Sequence, residues 1–410
     1  MEKQKVVVIG GGFAGLQFIN NLDADKYSVL LLDKVNYHQF QPLFYQVATS
    51  QLEPSNISFP LRYVLRNKKD VKIRLAEVLS ISTENKLVHT DAGVFNYDIL
   101  VISTGCKTNF FGNKNIEQHA LTLKSTYEAI TIQNQMLESF EMLFTAEDSV
   151  KEELLNLVIV GGGPTGVELA GAFSELKKDV LPKDYPNLDL SRFTVHLIEG
   201  SANTLNSMSA TAKNASEDYL KAMGVNVILN TFVKDYDGHI ATLSNGDFIK
   251  TRNLIWAAGV TGNLFEGIPV DNILRGRVKV NRMNQSLFDA AVYVVGDLAY
   301  METPLFPSGH PQVANVAINQ AKNLAKNLNK STYKEFEYKD LGSMATVGKH
   351  KAVVDLSFVN FKGYFAWFIW MFLHLMLILS VRNKIIILIN WSWNYFTKNT
   401  ALRLLFTNRG

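Results

Sequence analysis

Short unbroken apolar runs, each closed by a glycine cluster or an acid, set the pattern of this chain. Lys5 to Ile9 is a continuous, mostly β-branched run, the kind a parallel strand buried on both faces requires. Gly10-Gly11-Gly12-Phe13-Ala14-Gly15 follows, then a helix-like stretch from Leu16 to Leu22 and a second strand from Ser28 to Leu32 that ends in Asp33. The same phrase returns later. Leu157 to Val160 leads through Gly161-Gly162-Gly163-Pro164-Thr165-Gly166 into a helix from Val167, and a strand from Thr194 to Ile198 ends in Glu199. The second copy is longer because Lys177 to Leu190, which carries Pro182 and Pro186, reads as a loop inserted after the helix.

The echo continues beyond the glycines. Asp91 to Gly105 reads as a turn, a hairpin strand and the apolar run Ile99 to Ile102, closing on Ser103-Thr104-Gly105; Ser244 to Gly259 repeats that outline and closes on Ala257-Ala258-Gly259. Ser125 to Phe144 reads as a connecting helix. A further strand, Val292 to Val295, runs into Gly296-Asp297 ahead of a long helix around Pro311 to Leu328, and a hairpin-like stretch covers Phe336 to Asp355. The expected fold is therefore α/β: two Rossmann-like dinucleotide-binding domains, the second inserted in the first, plus a C-terminal membrane-docking segment. The expected boundaries are 1–120 and 266–330 for the first domain, 121–265 for the second with its connecting helix, and 331–410 for the C-terminal part, with the docking segments at 363–397.

A lone Gly-x-Gly-x-x-Gly is a weak signal, but here each copy follows an apolar strand, opens a helix and precedes a strand ending in an acid. Gly10 permits the tight turn, Gly12 lets the backbone approach a pyrophosphate, and Gly15 lets helix and strand pack closely; Gly161, Gly163 and Gly166 repeat these roles. The helix N-terminus offers free N–H groups to phosphate. Asp33 and Glu199 are placed to accept from a ribose. An acid at Glu199, with Ser201-Ala202-Asn203 offering no arginine beside it, favours NADH over NADPH. Asp297 has two readings, a ligand for polyol hydroxyls such as a ribityl chain and an ordinary helix N-cap.

Composition narrows the chemistry. The net charge of +3 gives no case for nucleic acid, but from Leu356 onward there is no Asp or Glu, while Lys362, Arg382, Lys384, Lys398, Arg403 and Arg409 are all basic. Cys106 is the single cysteine, which removes both an intrachain disulfide and the cysteine pair through which flavin disulfide reductases pass electrons. Electrons would have to leave to a quinone, to oxygen or to a small redox protein. No metal-ligand pattern is present. The opening Met-Glu-Lys-Gln-Lys leads straight into a strand rather than a secretory signal, so a cytoplasmic location is expected. Gly363 to Val381 and Ile385 to Thr397 contain no charged residue and hold four of the five tryptophans. The first window is borderline for a span of about 20 residues. The basic residues after it argue against a simple crossing, so an interfacial anchor or re-entrant hairpin is expected beside the ordinary reading of a buried helix or dimer interface.

These residues resemble the bacterial type II NADH dehydrogenases, single-subunit non-pumping NADH:quinone oxidoreductases. The resemblance is carried by Phe40-Gln41-Pro42-Leu43-Phe44-Tyr45-Gln46-Val47-Ala48, by Gly161 to Ala170 with Glu168, by Trp256 to Val260, by Val295 to Ala299, and by the Trp-rich tail ending Leu388-Ile389-Asn390-Trp391. It implies non-covalent FAD in the first module, at Gly10, Gly12, Phe13, Ala14, Gly15 and Asp33 with Gln46, Thr104, Gly105 and Asp297. It implies NADH in the second, at Gly161, Gly163, Pro164, Thr165 and Gly166 with Glu199, Ala258 and Gly259. Glu168 matches the family's glutamate near nicotinamide and flavin; its ordinary reading is an acid in the first turn of a helix. Ala314, Asn315 and Asn319 fall where the family places its quinone helix, with asparagine in place of both glutamines. The family further implies a membrane quinone (menaquinone or ubiquinone) and a homodimer held monotopically on the lipid bilayer at the cytoplasmic face of the cell membrane. Two rivals stand beside it, a soluble NADH:rubredoxin or ferredoxin reductase and a non-catalytic NADH-sensing flavoprotein.

Overall fold

The computed structural model describes residues 2–356, 359–397 and 402–405. Contacts divide the chain into two units. The first comprises residues 1–39, 59–107 and 260–339, and the second 40–58, 108–259 and 340–410.

The first unit is built on a five-stranded parallel sheet in the order Val292–Val294, Ile99–Ile102, Gln4–Ile9, Tyr27–Asp33, Val71–Leu75. Because side chains alternate across a strand, the central β-branched run feeds two cores. Val6 and Val8 pack with Phe18, Ile19 and Leu324 on one face, and Val7 and Ile9 with Leu100, Val292 and Val294 on the other. Helices Phe13–Asn21 and Ala14-facing Ala314–Lys330 cover the first of these faces.

The second unit repeats the plan. Its parallel sheet runs Leu121–Thr122, Asn253–Trp256, Asn156–Val160, Thr194–Ile198, Asn226–Ile228, again with the glycine-loop strand at the centre. The duplication extends to the small antiparallel sheets. Val78–Ser82, Leu87–Thr90 and Gly93–Asn96 form one, and Val233–Tyr236, Ile240–Leu243 and Phe248–Lys250 the other. Each has a register shift right after its first residue, at Val78/Ser80 and at Val233/Asp235. The connecting helix spans Thr126–Met142, capped by the Ser125 hydroxyl accepting from the Glu128 N–H.

One expectation is corrected. The first part of Lys177 to Leu190 is not a loop: the helix Pro164–Glu175 continues through a π turn, Leu176–Val180, into Leu181–Asp184, and only residues 185–189 form a loop before the 3-10 turn Leu190–Arg192. Leu176, Val180 and Leu181 are buried and hold the segment in helical form. Pro182 sits in the first turn of the last piece, where a missing N–H costs nothing.

The C-terminal part begins with an antiparallel sheet of Ser343–Thr346, Ala352–Asp355 and Asn360–Gly363. Two helices follow, Tyr364–Leu377 and Val381–Thr397. Among the described residues no helix is long and apolar enough to cross a membrane. Lys398 and Arg409 lie outside the described residues.

Candidate functional site

The first glycine loop is shaped by contacts that leave no room for a side chain. Gly10 has φ of 98°, and a Cβ on Gly15 would lie 1.9 Å from the Gly10 carbonyl oxygen. Gly12 caps the Phe13–Asn21 helix without any side-chain bond, and a Cβ there would meet nothing within 4 Å. An open, uncapped helix start of this kind suits a pyrophosphate. Phe13 and Ala14 follow directly in its first turn. The Ser103 hydroxyl, which sequence reasoning passed over, ties down the turn by donating to the carbonyls of Ile9 (2.8 Å) and Gly10 (2.9 Å).

Asp33 accepts from the Gly11 N–H at 2.6 Å through one oxygen and from the Val35 N–H at 2.9 Å through the other. Burial pushes its carboxyl upward and those amides oppose the rise. A carboxylate has about four acceptor sites, so two remain for ribose hydroxyls. Elsewhere in this unit, the Thr104 hydroxyl donates to the Asn263 carbonyl at 2.8 Å, and Gly105 adopts φ of 68°. Asp297 accepts from the Cys106 thiol at 3.2 Å. It is not a helix cap, since the next helix begins at Ala314 with Val313 before it. Beside it Arg277, buried, donates to the His310 carbonyl at 2.9 Å and feels the Asp297 charge. No sequence motif marked that arginine. These features fit an FAD cradle.

The second loop repeats the geometry of the first, with Ala257 where the first has Ser103. Gly161 has φ of 110°, a Cβ on Gly166 would lie 1.9 Å from its carbonyl, and Gly163 caps its helix with open space before it. Pro164 stands where an N–H would be unpaired anyway, and Thr165 is exposed at the helix start. Glu199 accepts from the Gly162 N–H at 2.5 Å and the Ser201 N–H at 2.7 Å, the pairing Asp33 makes with Gly11 and Val35. A cleft of about 640 Å³ opens beside Gly161, Glu199 and Ala258, floored by Ile198 and Trp256 and rimmed by the exposed rings of Phe111 and Phe232. Gly259 lies next to it under the Phe111 ring. The cleft suits an adenosine.

Glu168 is not in the first turn of its helix and is only 8% exposed. Burial raises its carboxyl to about 8, against the pull of hydrogen bonds from the backbone and side chain of Thr346. Thr346 opens a chain of bonds across the second unit. Its hydroxyl meets the Tyr45 hydroxyl at 3.1 Å, the Gln46 amide donates to that hydroxyl at 2.9 Å, and the Trp391 indole donates to the Gln46 oxygen at 2.8 Å. Burial, with the Glu168 charge beside it, pushes the Tyr45 phenol upward. The amide of Gln46, expected at FAD, is thus engaged at both ends by Tyr45 and the tail. Ala314, Asn315 and Asn319 share the first turns of one helix in the first unit, and the Asn319 amide donates back to the Asn315 carbonyl at 2.8 Å.

The tail helices bury one stripe each, Ala366, Trp370 and Leu375 in the first and Asn383, Ile387, Trp391 and Asn394 in the second. The opposite stripes are exposed and apolar: Phe365, Phe368, Phe372 and Met376, then Ile385, Leu388, Ile389, Trp393 and Phe396. Asn383 anchors the second helix by donating to the Ser55 and Asn56 carbonyls, both at 3.0 Å.

Residues 4–321 match the family described as pyridine nucleotide-disulphide oxidoreductase, and residues 341–398 match the NDH2 C-terminal domain. The type II NADH:quinone oxidoreductase Ndh of Mycobacterium tuberculosis is 31% identical, over 97% of this chain and 89% of its own. NdhA of the same organism, also a type II NADH:quinone oxidoreductase, is 32% identical over 96% and 87%. Among solved structures, NDH2 from Plasmodium falciparum in complex with NADH aligns with a TM-score of 0.90 at 21% identity, covering 99% of this chain and all of that one, a likeness of fold.

Proposed function

The chain belongs to the type II NADH:quinone oxidoreductases within the pyridine nucleotide-disulphide oxidoreductase family, and we propose that it passes the reducing equivalents of NADH through FAD to a membrane quinone without pumping protons. The doubled glycine loop carries the reading: two cradles of one geometry, each with its own acid, in a chain whose only cysteine excludes disulfide exchange. FAD, when bound, supplies the redox chemistry, accepting a hydride equivalent and passing two electrons on.

The residues divide the labour. Gly10, Gly12 and Gly15 with Asp33 hold the pyrophosphate and ribose of FAD, and Thr104, Gly105 and Asp297 stand toward its far end. Gly161, Gly163 and Gly166 with Glu199 do the same for NADH, and the carboxylate at Glu199 repels a 2′-phosphate. Glu168, held neutral near pH 7 by burial, is the catalytic residue we assign: a carboxylic acid able to give up a proton during turnover. Asn315 is the donor we assign to a quinone carbonyl, because the Asn319 amide is engaged by the helix itself.

The exposed apolar stripes of the tail support docking on a lipid bilayer, with Trp393 at the interface and the exposed Arg382 toward headgroups. Family membership supports a homodimer attached monotopically at the cytoplasmic face. A soluble reductase for rubredoxin or ferredoxin would carry a polar tail, and this one exposes Phe365, Phe368 and Phe372. The test is steady-state NADH oxidation by the full chain in liposomes, with ubiquinone or menaquinone against ferredoxin as acceptor. Quinone-dependent turnover is expected, and turnover with ferredoxin alone would overturn the reading.

A further inference from the structure

A small chamber lies inside the second unit, between the Pro164–Glu175 helix, the turn after Thr346 and the tail helices. Its volume is about 40 Å³. That is room for about three or four waters at the ~10–15 Å³ each requires, and far below the ~300 Å³ at which small-molecule sites begin. Two carboxyls line it, Glu168 and Glu175. They stand seven residues apart on one helix, hence on one face and two turns apart, about 10 Å. Glu168 is buried, whereas Glu175 keeps some contact with solvent.

A third feature points to water inside. Trp370 also lines the chamber, is 2% exposed, and its indole N–H has no hydrogen-bond partner among the described residues. A buried N–H without a protein partner, beside a mainly apolar chamber into which Glu168, Glu175 and Tyr45 bring polar groups, is satisfied by a water.

The groups facing Glu175 are few. It accepts the Lys349 backbone N–H; the Lys349 ammonium, bonded to the Asn394 side chain at 3.0 Å, and Lys351 favour its ionised form, and Asp179 disfavours it. Burial outweighs them and raises its carboxyl to about 7. Tyr45 and Tyr395 complete the titratable lining, from the Phe44–Ala48 helix and the second tail helix.

Reduction of a quinone by NADH consumes a proton: NADH + H⁺ + quinone gives NAD⁺ + quinol. We propose that Glu175 and the chamber's waters carry this proton from solvent to Glu168. Glu168 releases its proton toward the quinol oxygen and becomes a carboxylate. A chamber water reprotonates it, Glu175 replaces the proton on the water, and solvent reprotonates Glu175. Nothing in the protein is changed at the end of the cycle. Glu175 touches neither substrate nor cofactor, so it is a positioning residue for the proton, and its role rests on the quinone-reductase reading above.

The test uses the full FAD-loaded chain, wild type, Glu175→Gln and Glu175→Asp, in stopped-flow with a short-chain ubiquinone. Glutamine keeps an oxygen acceptor for the Lys349 N–H and removes the ionisable carboxyl. Flavin reduction by NADH is expected within twofold of wild type in both variants. Reoxidation by quinone should slow about tenfold in Glu175→Gln at pH 8, less than the ~10²–10⁴ of a direct acid catalyst, and recover toward wild type at pH 6. Glu175→Asp should restore most of the rate. Independently of activity, the infrared difference between pH 6 and pH 8 should lose one carboxylic-acid band in Glu175→Gln. Reoxidation at the wild-type rate at both pH values, or equal slowing of both half-reactions, overturns the relay. If the wild type itself is not reoxidised by quinone, the proposed function falls and the relay with it.

Discussion

Gly15→Ala and Gly166→Ala make the same perturbation in the two halves of the duplication. In each the new methyl would lie 1.9 Å from a carbonyl oxygen, of Gly10 or Gly161, where ordinary contact begins at 3.4 Å. The helix start and the loop must therefore separate by about 1.5 Å. A hydrogen bond of about 2.9 Å from the helix N-terminus to a phosphate does not survive such a shift. Losing one or two charge-assisted bonds, at about 1.5–3 kcal/mol each, costs about 1.5–6 kcal/mol. That is roughly ten-fold to over ten-thousand-fold in the affinity of the nucleotide concerned. The assay is the ratio of FAD to protein after gel filtration, followed by titration with NADH. Gly15→Ala is expected to purify with little FAD. Gly166→Ala should keep FAD, yet be bleached by NADH only at greatly raised concentration. Far-UV circular dichroism checks that both variants fold. If Gly166→Ala loses the flavin and Gly15→Ala retains it, the assignment of the two cradles is reversed; if neither variant affects either nucleotide, the loops do not bind phosphate.

Three further outcomes are expected. Glu199 should make NADH at least about tenfold more efficient than NADPH, about 1.4 kcal/mol, and comparable kcat/KM values would remove its assigned role. Asn315→Leu should slow flavin reoxidation by quinone several-fold, about 0.5–1.5 kcal/mol for one bond to a neutral carbonyl, with flavin reduction unchanged; equal slowing of both steps in stopped-flow would mean that this helix lines no separate quinone site. Because burial lifts Glu168 from 4.5 to about 8, the folded chain retains a proton the unfolded chain has released, so stability falls as pH rises from about 4.5 to about 8 and then levels. Glu168→Gln lacks that slope, and its unfolding free energy should gain on wild type across the window by up to about 5 kcal/mol, whereas parallel pH profiles would rule out a buried neutral carboxyl.

What the sequence made legible is what local chemistry dictates. The glycines at 10 and 15 and their counterparts at 161 and 166 are readable because a tight turn and a close approach exclude a side chain at a fixed offset, and those at 12 and 163 because an open helix start is left for a phosphate. The acids at 33 and 199 are readable because a strand end fixes where they emerge. Nothing local predicts that both carboxylates also brace their own glycine loops, through Gly11 and Gly162, since that requires two strands to lie in register. The chain from Glu168 through Thr346, Tyr45 and Gln46 to Trp391 joins segments hundreds of residues apart and leaves no spacing to find. Lys177 to Leu190 misled because two prolines outweighed the buried Leu176, Val180 and Leu181, whose packing keeps the segment helical as far as Asp184.

The most direct measurement is an anaerobic single turnover of the full chain in liposomes. NADH is added in equimolar amount to bound FAD, the flavin spectrum is followed to bleaching, and quinone is then added and quinol counted. One flavin bleached per NADH, and one quinol formed per flavin recovered, is the expected result. A flavin that NADH leaves oxidised, or a reduced flavin that quinone leaves reduced, would contradict the account.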